Sequence, residues 1–119
     1  MTRPRLILVV DDDVLVSAAV ATVLQLRGYA TVTARDGVEG LSQLQAGPRP
    51  SLIVLDWTMP RLDGRGFLRE VAADPRFQGI PIVVHTALGS RVLADDVAAT
   101  VPKGEDPQIL VDAVTRYAA

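Results

Sequence analysis

The sequence predicts one doubly wound α/β domain, in which helices cover both faces of a five-stranded parallel sheet. Apolar runs of four or five residues, typical of strands buried on both faces, alternate with stretches whose apolar residues recur at helical spacing. Right-handed crossovers between such strands place the helices on both faces. No linker, repeat or low-complexity segment interrupts the alternation, so a single domain is expected over residues 1–119.

The first strand and helix lie between residues 6 and 28. Strand 1 is the β-branched run Leu6–Val10. Helix 1 is expected over Val14–Arg27, because Asp13 is a suitable N-cap and Gly28 a C-terminal stop. Its apolar positions at helical spacing are Val16, Val20, Val23 and Leu24.

The next three elements are shorter. Strand 2 is expected over Ala30–Ala34, and a short helix 2 follows the Asp36–Gly37 turn and closes at Gly47–Pro50. The apolar face of helix 2 is expected to comprise Val38, Leu41 and Leu44. Strand 3 is the apolar run Leu52–Leu55, which leads directly into Asp56 and a Pro- and Gly-containing loop.

Helix 3 and strand 4 follow that loop. The helix begins after Gly64 and stops near Asp74–Pro75, since a residue before proline is disfavoured in a helix. It is marked by two apolar pairs, Phe67–Leu68 and Val71–Ala72. Strand 4 is expected over Ile80–Val84.

The last part of the chain contains a strand and a helix. The region Gly89–Thr100 has room only for a short fourth helix, and Ala98–Val101 is expected to be strand 5. Pro102 so close to strand 5 indicates a sheet edge, where a missing donor is tolerated. The final helix begins near Asp106–Pro107, with Pro107 suited to its first turn. Its apolar side is expected to present Ile109, Leu110, Ala113, Val114 and Tyr117.

Composition and charge exclude several classes of function. Apolar residues make up 49% of the chain and charged residues 22%, an ordinary globular balance. A net charge of −2 without a basic run argues against direct nucleic-acid binding, which needs clustered Lys and Arg. The absence of cysteine excludes thiol chemistry and cysteine-bound zinc. The apolar runs are far shorter than the roughly 20 residues of a membrane helix, so we expect a cytoplasmic protein without a membrane partner.

Aspartates follow two of the predicted strands. Asp11 and Asp12 come directly after strand 1, and Asp56 follows strand 3. In the flavodoxin-like strand order 2-1-3-4-5 these strands are neighbours at the topological switch point, so the three carboxylates converge. Such carboxylates repel one another unless a cation is present, and Mg²⁺ suits an oxygen-only site. Taken singly, the acids would be interpreted as helix or loop caps, and only their joint placement favours a metal site.

Two more polar residues end strands at the same edge of the sheet. Thr86 follows strand 4, where a hydroxyl can donate to a phosphoryl oxygen, and Lys103 follows strand 5, where an ammonium can pair with one. Each alone is more typical of an ordinary strand residue or a solvated lysine. His85 has no Ser or Cys partner pattern and is interpreted as structural. Trp57, beside Asp56, could shield the site or simply pack.

As a set, these residues resemble the receiver domain of two-component response regulators. The motifs Val9–Asp12, Leu55–Gly64, Thr86–Ala87 and Lys103 occur in the family's order and cover essentially the whole chain. Within Leu55–Gly64, the pattern is Leu-Asp-x-x-Met-Pro-x-x-Asp-Gly.

The resemblance implies a role for each of these residues. It implies that Asp56 is phosphorylated by a sensor histidine kinase or histidine phosphotransfer protein, and that Thr86 and Lys103 contact the phosphoryl group. The chain would catalyse only its own phosphoryl transfer and dephosphorylation, and would signal through a downstream protein partner in a two-component or phosphorelay system. The implied Mg²⁺ ligands are Asp11, Asp12, Asp56 and the backbone carbonyl of Thr58.

Three features depart from the family pattern. Thr100 occupies the position three before Lys103, where receivers usually carry an aromatic switch residue. The 17-residue step from Thr86 to Lys103 is shorter than usual by roughly one helical turn or more, so the fourth helix is expected to be short or replaced by a loop. The usual Lys-Pro step is Lys103–Gly104, where a cis bond would cost about 2.5 to 4 kcal/mol. Either the loop takes another path or Lys103 is placed differently.

Two other classes of function stay open. The altered stretch Leu88–Gly104 favours an unphosphorylated receiver-like adaptor that only binds partners, whereas the intact acidic site opposes it. Leu55-Asp56-x-Thr58 faintly resembles the nucleophile motif of haloacid dehalogenases, which would indicate a Mg²⁺-dependent phosphohydrolase. That motif has a second acid where this chain has Thr58.

Overall fold

The computed structural model describes residues 4–88 and 96–118. Their five strands form one parallel sheet in the order β2-β1-β3-β4-β5, which confirms the predicted flavodoxin-like order. The strands are β1 (Leu6–Val10), β2 (Ala30–Ala34), β3 (Leu52–Leu55), β4 (Ile82–Thr86) and β5 (Ala99–Pro102). The helices of the described ranges are α1 (Val14–Leu26), α2 (Gly37–Ala46), α3 (Gly64–Ala73) and α4 (Pro107–Tyr117), with a 3₁₀ turn at Pro75–Phe77.

Two separate apolar layers hold the sheet between the helices. Alternate residues of β1 and β3 point to opposite faces, so both strands are apolar throughout. One layer packs Leu8, Val10, Ile53 and Leu55 against Leu44, Phe67 and Val71 of α2 and α3. The other packs Ile7, Val9, Leu52 and Val54 against Val20, Leu24, Leu110 and Val114 of α1 and α4. The two central strands are therefore fixed on both sides, and so are the residues that follow them.

Helix ends follow the signals in the sequence. Asp13 caps α1 by accepting from the N–H groups of Leu15 and Val16, and Gly28 follows the helix with a positive φ of 92°. Asp106 caps α4, with Pro107 in its first turn. These local contacts confirm where helix 1 and the final helix begin.

Strand β4 begins two residues later than the predicted Ile80–Val84. Pro81 has no N–H to donate to the ladder, whereas its carbonyl accepts from the N–H of Ile53 at 3.0 Å, so regular pairing starts after it. At the other end, pairing with β5 extends the strand to Thr86. β5 is also one residue later than predicted and lies at the sheet edge, as Pro102 indicated.

The buried faces of α2 and α4 differ from the predicted ones. Val38 was expected inside, yet it is 45% exposed, while Gly40 is buried. A Cβ at Gly40 would lie 2.9 Å from Cε2 of Phe67, so the glycine sets which side of α2 approaches the sheet. In α4, Leu110 and Val114 are buried as predicted, but Ile109 is 43% exposed and Val111 is buried, so the buried side is shifted toward Val111.

Two further observations concern the limits of the described chain. The predicted short fourth helix falls largely on residues 89–95, which lie outside the described residues. Within residues 4–88 and 96–118, no helix combines the length and apolar character needed to cross a membrane.

Candidate functional site

The central strands place two aspartates side by side at the carboxyl edge of the sheet. Val10 of β1 pairs with Leu55 of β3, and the N–H of Asp56 donates to the carbonyl of Val10 at 2.8 Å. The N–H of Asp11 donates to the carbonyl of Ala34 at 3.0 Å, which ties it to β2 as well. The ladder therefore extends one residue past each apolar run, and both carboxylates start from a rigid backbone.

Asp11, Asp12 and Asp56 form an oxygen-lined cluster at this edge. One carboxylate oxygen from each lies within 4.8 Å of the others. Asp11 and Asp56 are buried, at 4% and 5% exposure, while Asp12 is exposed and forms the solvent side of the cluster. Burial raises the pKa of Asp56 to about 6, and the charge of Asp11 acts in the same direction while Lys103 opposes it.

The chemistry of this donor set fits Mg²⁺. All three groups offer hard oxygen atoms, and two of them are removed from water without enough positive charge to offset the crowding. The exposed Asp12 leaves one side open, which suits an ion that keeps several of its waters. The residues present therefore fit a hydrated divalent cation.

Lys103 reaches the same cluster from β5. Its Nζ lies 2.8 Å from Oδ2 of Asp11 and 3.5 Å from Oδ1 of Asp56, so the closer partner is Asp11. Burial lowers the pKa of Lys103, but the hydrogen bond to Asp11 and the charges of both aspartates outweigh it, and the pKa is raised overall. The ammonium is therefore charged and held at the acids.

The loop after β5 explains how the lysine arrives without the usual Lys-Pro step. The N–H of Lys103 donates to the carbonyl of Thr86 at 2.9 Å, which continues the β4–β5 pairing. Gly104 then has a φ of +84°, a conformation that L side chains rarely adopt, and the chain turns there through a trans bond. Of the two possibilities left open by the sequence, the loop takes another path and the lysine still reaches the cluster.

Thr86 lies at the same edge, two residues beyond Val84, which pairs with Leu55. Its side chain is buried, with 1% exposure, and its Oγ1 accepts from the N–H of Leu88 at 3.2 Å. A hydroxyl that accepts one hydrogen bond keeps its own proton free to donate. Thr86 is thus linked to the segment after β4, and its hydroxyl proton is available to a further acceptor.

Thr58 belongs to the β3–α3 loop, residues 56–63. Its side chain is exposed, and the ligand that the resemblance implies is its backbone carbonyl. Trp57 is half-buried, and its carbonyl accepts from the N–H of Gly64 at 2.9 Å. A Cβ on Gly64 would lie 2.8 Å from Cα of Trp57, so this close turn requires glycine. Trp57 packs against the start of α3, with the Arg65 guanidinium 5.6 Å from its ring centroid.

His85 and Thr100 lie outside the acid cluster. His85 alternates with Thr86 along β4 and lines a largely apolar cavity of about 200 Å³ between α1, β5 and α4. Burial and the charge of Lys103 lower the pKa of His85 to about 4, so the ring is neutral near pH 7. Its Nδ1 is buried without a hydrogen-bond partner in the described part of the chain. Thr100 pairs with Val84 and is half-buried.

Sequence reasoning missed one ion pair next to the site. Arg61, in the β3–α3 loop, contacts Asp36, the N-cap of α2, at 2.7 Å. In the sequence Asp36 indicated only a turn before Gly37, and nothing marked Arg61. The pair joins residues 25 positions apart, so local patterns carry no signal for it.

Comparison with known proteins gives a consistent family match. The profile of the response regulator receiver domain matches residues 7–115. The probable transcriptional regulator ycf27 of Cyanophora paradoxa is 45% identical over 83 residues, which are 70% of this chain and 33% of that protein. This chain therefore spans about a third of the length of that relative. The chemotaxis protein CheY1 of Helicobacter pylori strain J99 is 35% identical over 86 residues, covering 71% of this chain and 69% of CheY1.

A solved structure shows the same arrangement of elements. The chemotaxis response regulator CheY4 of Vibrio cholerae superposes with a TM-score of 0.84 at 27% identity. The match covers 96% of this chain and 98% of CheY4. The two chains therefore share the fold over nearly their whole length.

Proposed function

The chain belongs to the response regulator receiver domain family of two-component signalling, and from this premise we propose that Asp56 is its phosphoacceptor. The phosphoryl group would come from a sensor histidine kinase or a histidine phosphotransfer protein. The observation that carries the proposal is the cluster at the carboxyl ends of the strands. Asp56 directly follows β3, with two further carboxylates within 4.8 Å and the Lys103 ammonium at 3.5 Å.

The proposed reaction is an in-line phosphoryl transfer. A carboxylate oxygen of Asp56 attacks phosphorus, a P–O bond forms, the P–N bond of the donor phosphohistidine breaks, and the electron pair returns to the imidazole. A carboxylate is a weak nucleophile, so positioning and charge stabilisation must lower the barrier. With a pKa of about 6, Asp56 is mostly ionised near pH 7 and can act as the nucleophile without a separate base.

We further propose that Asp11, Asp12, Asp56 and the backbone carbonyl of Thr58 hold Mg²⁺. Receiver domains bind Mg²⁺ at an acidic site, and the oxygen-only donor set here suits that ion. Bound there, the ion would offset the negative charge of the phosphoryl oxygens. Lys103 would add its own charge, since its Nζ lies 2.8 Å from Asp11 and 3.5 Å from Asp56.

Thr86 is the proposed link between phosphorylation and output. Its hydroxyl can donate to a phosphoryl oxygen on Asp56 while it accepts from the N–H of Leu88. A shift of Thr86 toward the phosphoryl group would then move the start of the segment after β4. Thr100 stands where an aromatic switch residue is usual, so the proposed readout is a contact between this segment and a downstream protein.

The setting of this reaction is also a proposal. We place the domain in the cytoplasm, with protein partners on both the input and the output side. Its net charge of −2, without a basic run, supports no direct contact with nucleic acid. The ycf27 relative is named a transcriptional regulator, but it extends well beyond the region matched by this chain. An unphosphorylated adaptor would not require three converging carboxylates with a lysine among them.

Mass spectrometry of the intact protein tests the phosphoacceptor. Incubation with Mg²⁺ and a small phosphodonor such as acetyl phosphate should add one phosphoryl group, and Asp56→Asn should prevent the addition. Asp74→Asn is the control, because Asp74 is a half-buried aspartate that pairs with Arg76 and is not part of the cluster. An unmodified mass, under conditions that phosphorylate a known receiver, would overturn the proposal.

A further inference from the structure

We infer that the ion pair between Arg61 and Asp36 positions the β3–α3 loop for Mg²⁺ binding by the acid cluster. The inference rests on the proposed function and adds two positioning residues that do not touch the phosphoryl group. Thr58, whose backbone carbonyl is the proposed fourth ligand, lies in this loop between Asp56 and Arg61. A loop without its own regular structure needs contacts to hold one carbonyl in place.

Asp36 is a buried anchor for the loop. It is 6% exposed, and its Oδ1 accepts from the N–H of Glu39 at 2.8 Å as the N-cap of α2. Its Oδ2 accepts from Arg61 Nε at 2.8 Å and lies 2.7 Å from Nη2, so the guanidinium contacts the carboxylate through two nitrogens. The N–H of Glu39, helped by Arg61, holds the pKa of Asp36 below its usual value despite burial. The carboxylate is therefore a permanent negative charge facing the loop.

The backbone of Arg61 supports a positioning role. Its φ is +67°, and no other non-glycine residue in the described ranges has a positive φ. L side chains rarely adopt this conformation, which persists where the surroundings over-determine it. Glycine would fit the backbone more easily but would lose the guanidinium. The chain therefore keeps an unfavourable backbone together with the side chain that reaches Asp36.

A backbone contact beside the ion pair fixes the same loop. The N–H of Gly37 donates to the carbonyl of Leu62 at 3.2 Å. A Cβ on Gly37 would lie 2.5 Å from that oxygen, so only glycine allows this approach. At the other end, the carbonyl of Trp57 is held by the N–H of Gly64 at 2.9 Å. Backbone hydrogen bonds thus fix the loop both before and after Thr58.

Asp36 and the acid cluster are both connected to the end of β2. Asp36 lies two residues after Ala34, whose carbonyl accepts from the N–H of Asp11. The ion pair therefore relates the β3–α3 loop to the strand end that also fixes Asp11. The Arg61 side chain is 57% exposed, so we expect the pair to affect metal binding more than the stability of the fold.

The test measures the Mg²⁺ dissociation constant by Trp57 fluorescence and, in parallel, by calorimetry. Trp57 is the only tryptophan of the chain and adjoins Asp56. Arg61→Asn removes the guanidinium but tolerates a positive φ, and Asp36→Ser removes the charge but can still cap α2. Each variant should bind Mg²⁺ about 3- to 10-fold more weakly, which is below the roughly 10- to 100-fold typical of residues that support a metal ligand, because the Arg61 side chain is 57% exposed. The double variant should be no weaker than the single ones.

Arg76→Gln is the matched control. It removes an ion pair with Asp74 of the same 2.7 Å length, located before β4 at the opposite edge of the sheet. Its Mg²⁺ affinity should equal that of the wild type. Urea denaturation in EDTA checks that each variant is folded, and if Asp36→Ser is not, Arg61→Asn decides the question.

The possible results distinguish a failure of the positioning role from a failure of the proposed function. Wild-type affinity in folded Arg61→Asn, with Mg²⁺ binding intact in the wild type, overturns the positioning role and leaves the proposed function standing. A wild type that neither binds Mg²⁺ nor accepts a phosphoryl group overturns the proposed function and this inference with it. Equal losses in the single and double variants, with Arg76→Gln unchanged, support the role.

Discussion

Asp56→Asn should stabilise the metal-free domain near neutral pH, although it removes the proposed phosphoacceptor. The carboxylate is buried beside Asp11, and burial with this neighbouring charge raises its pKa from 3.8 to about 6. An ionised group with a raised pKa has a less favourable environment in the folded protein than in the unfolded chain. An asparagine of nearly the same shape carries no charge and avoids this penalty.

The size and sign of the effect follow from the two pKa values. Below about pH 4 the carboxyl group is protonated in both states, and Asp56→Asn should change the free energy of unfolding little. Between 3.8 and about 6 the unfolded chain loses its proton first, so the wild type becomes progressively less stable relative to the variant. Above about pH 6 the penalty is complete and amounts to about 3 kcal/mol, with about half of it present near pH 5.

Urea denaturation of both proteins in EDTA, at several values of pH, measures this difference. The gain should be smaller than about 3 kcal/mol, because Asn cannot pair with Lys103 as a carboxylate does. Mg²⁺ at about ten times its dissociation constant should stabilise the wild type by about 1.4 kcal/mol and leave Asp56→Asn nearly unchanged. The difference in free energy of unfolding between the two proteins should therefore become smaller. A variant that is less stable than the wild type at pH 7.5, or a gain that does not shrink on acidification, would refute the reasoning.

Three further predictions concern other residues of the site. Lys103→Met should slow phosphorylation by acetyl phosphate about 10- to 1000-fold, measured by intact mass against time, because it removes a charge beside the phosphoryl oxygens; an unchanged rate would contradict the role given to Lys103. Thr86→Val should keep Mg²⁺ affinity but abolish the shift of the Leu88 amide on beryllofluoride binding, followed by NMR, since its hydroxyl joins the two. Gly37→Ala should lower the free energy of unfolding by about 1–3 kcal/mol in urea, because its Cβ would meet the Leu62 carbonyl; Ser42→Ala on the exposed side of α2 is the control.

Most of the fold could be predicted because its signals are local. Apolar runs bounded by aspartates gave β1 and β3, and capping residues gave the starts of α1 and α4. The errors came from contacts between distant parts of the chain. Gly40 meets Phe67, 27 residues later, and this contact rather than helical periodicity decides that Val38 faces solvent. The start of β4 depends on which backbone groups of Pro81 can pair, a detail that an apolar run does not contain.

The candidate site likewise combines features that the sequence predicts with features that depend on contacts between distant residues. Convergence of Asp11, Asp12 and Asp56 was predictable, since parallel strands end at one edge and the strand order makes β1 and β3 neighbours. Lys103 was expected at the same edge, but the sequence left open the path of the loop, which the β4–β5 pairing and the turn at Gly104 decide. The pair of Arg61 with Asp36 was not predictable, since an arginine in a loop and an aspartate before a glycine have ordinary local explanations.

The position of Lys103 relates the charge of the resting site to its chemistry. Its Nζ is closer to Asp11, at 2.8 Å, than to Asp56, at 3.5 Å, so its charge mainly offsets the carboxylate that is not the proposed nucleophile. Burial of Asp56 and the charge of Asp11 raise its pKa to about 6, and Lys103 opposes this increase only in part. A buried carboxylate with a raised pKa gains more from a bound Mg²⁺ than one already paired with a cation. The incomplete compensation of Asp56 therefore favours the proposed metal binding, and it accounts for the stability that Asp56→Asn should recover.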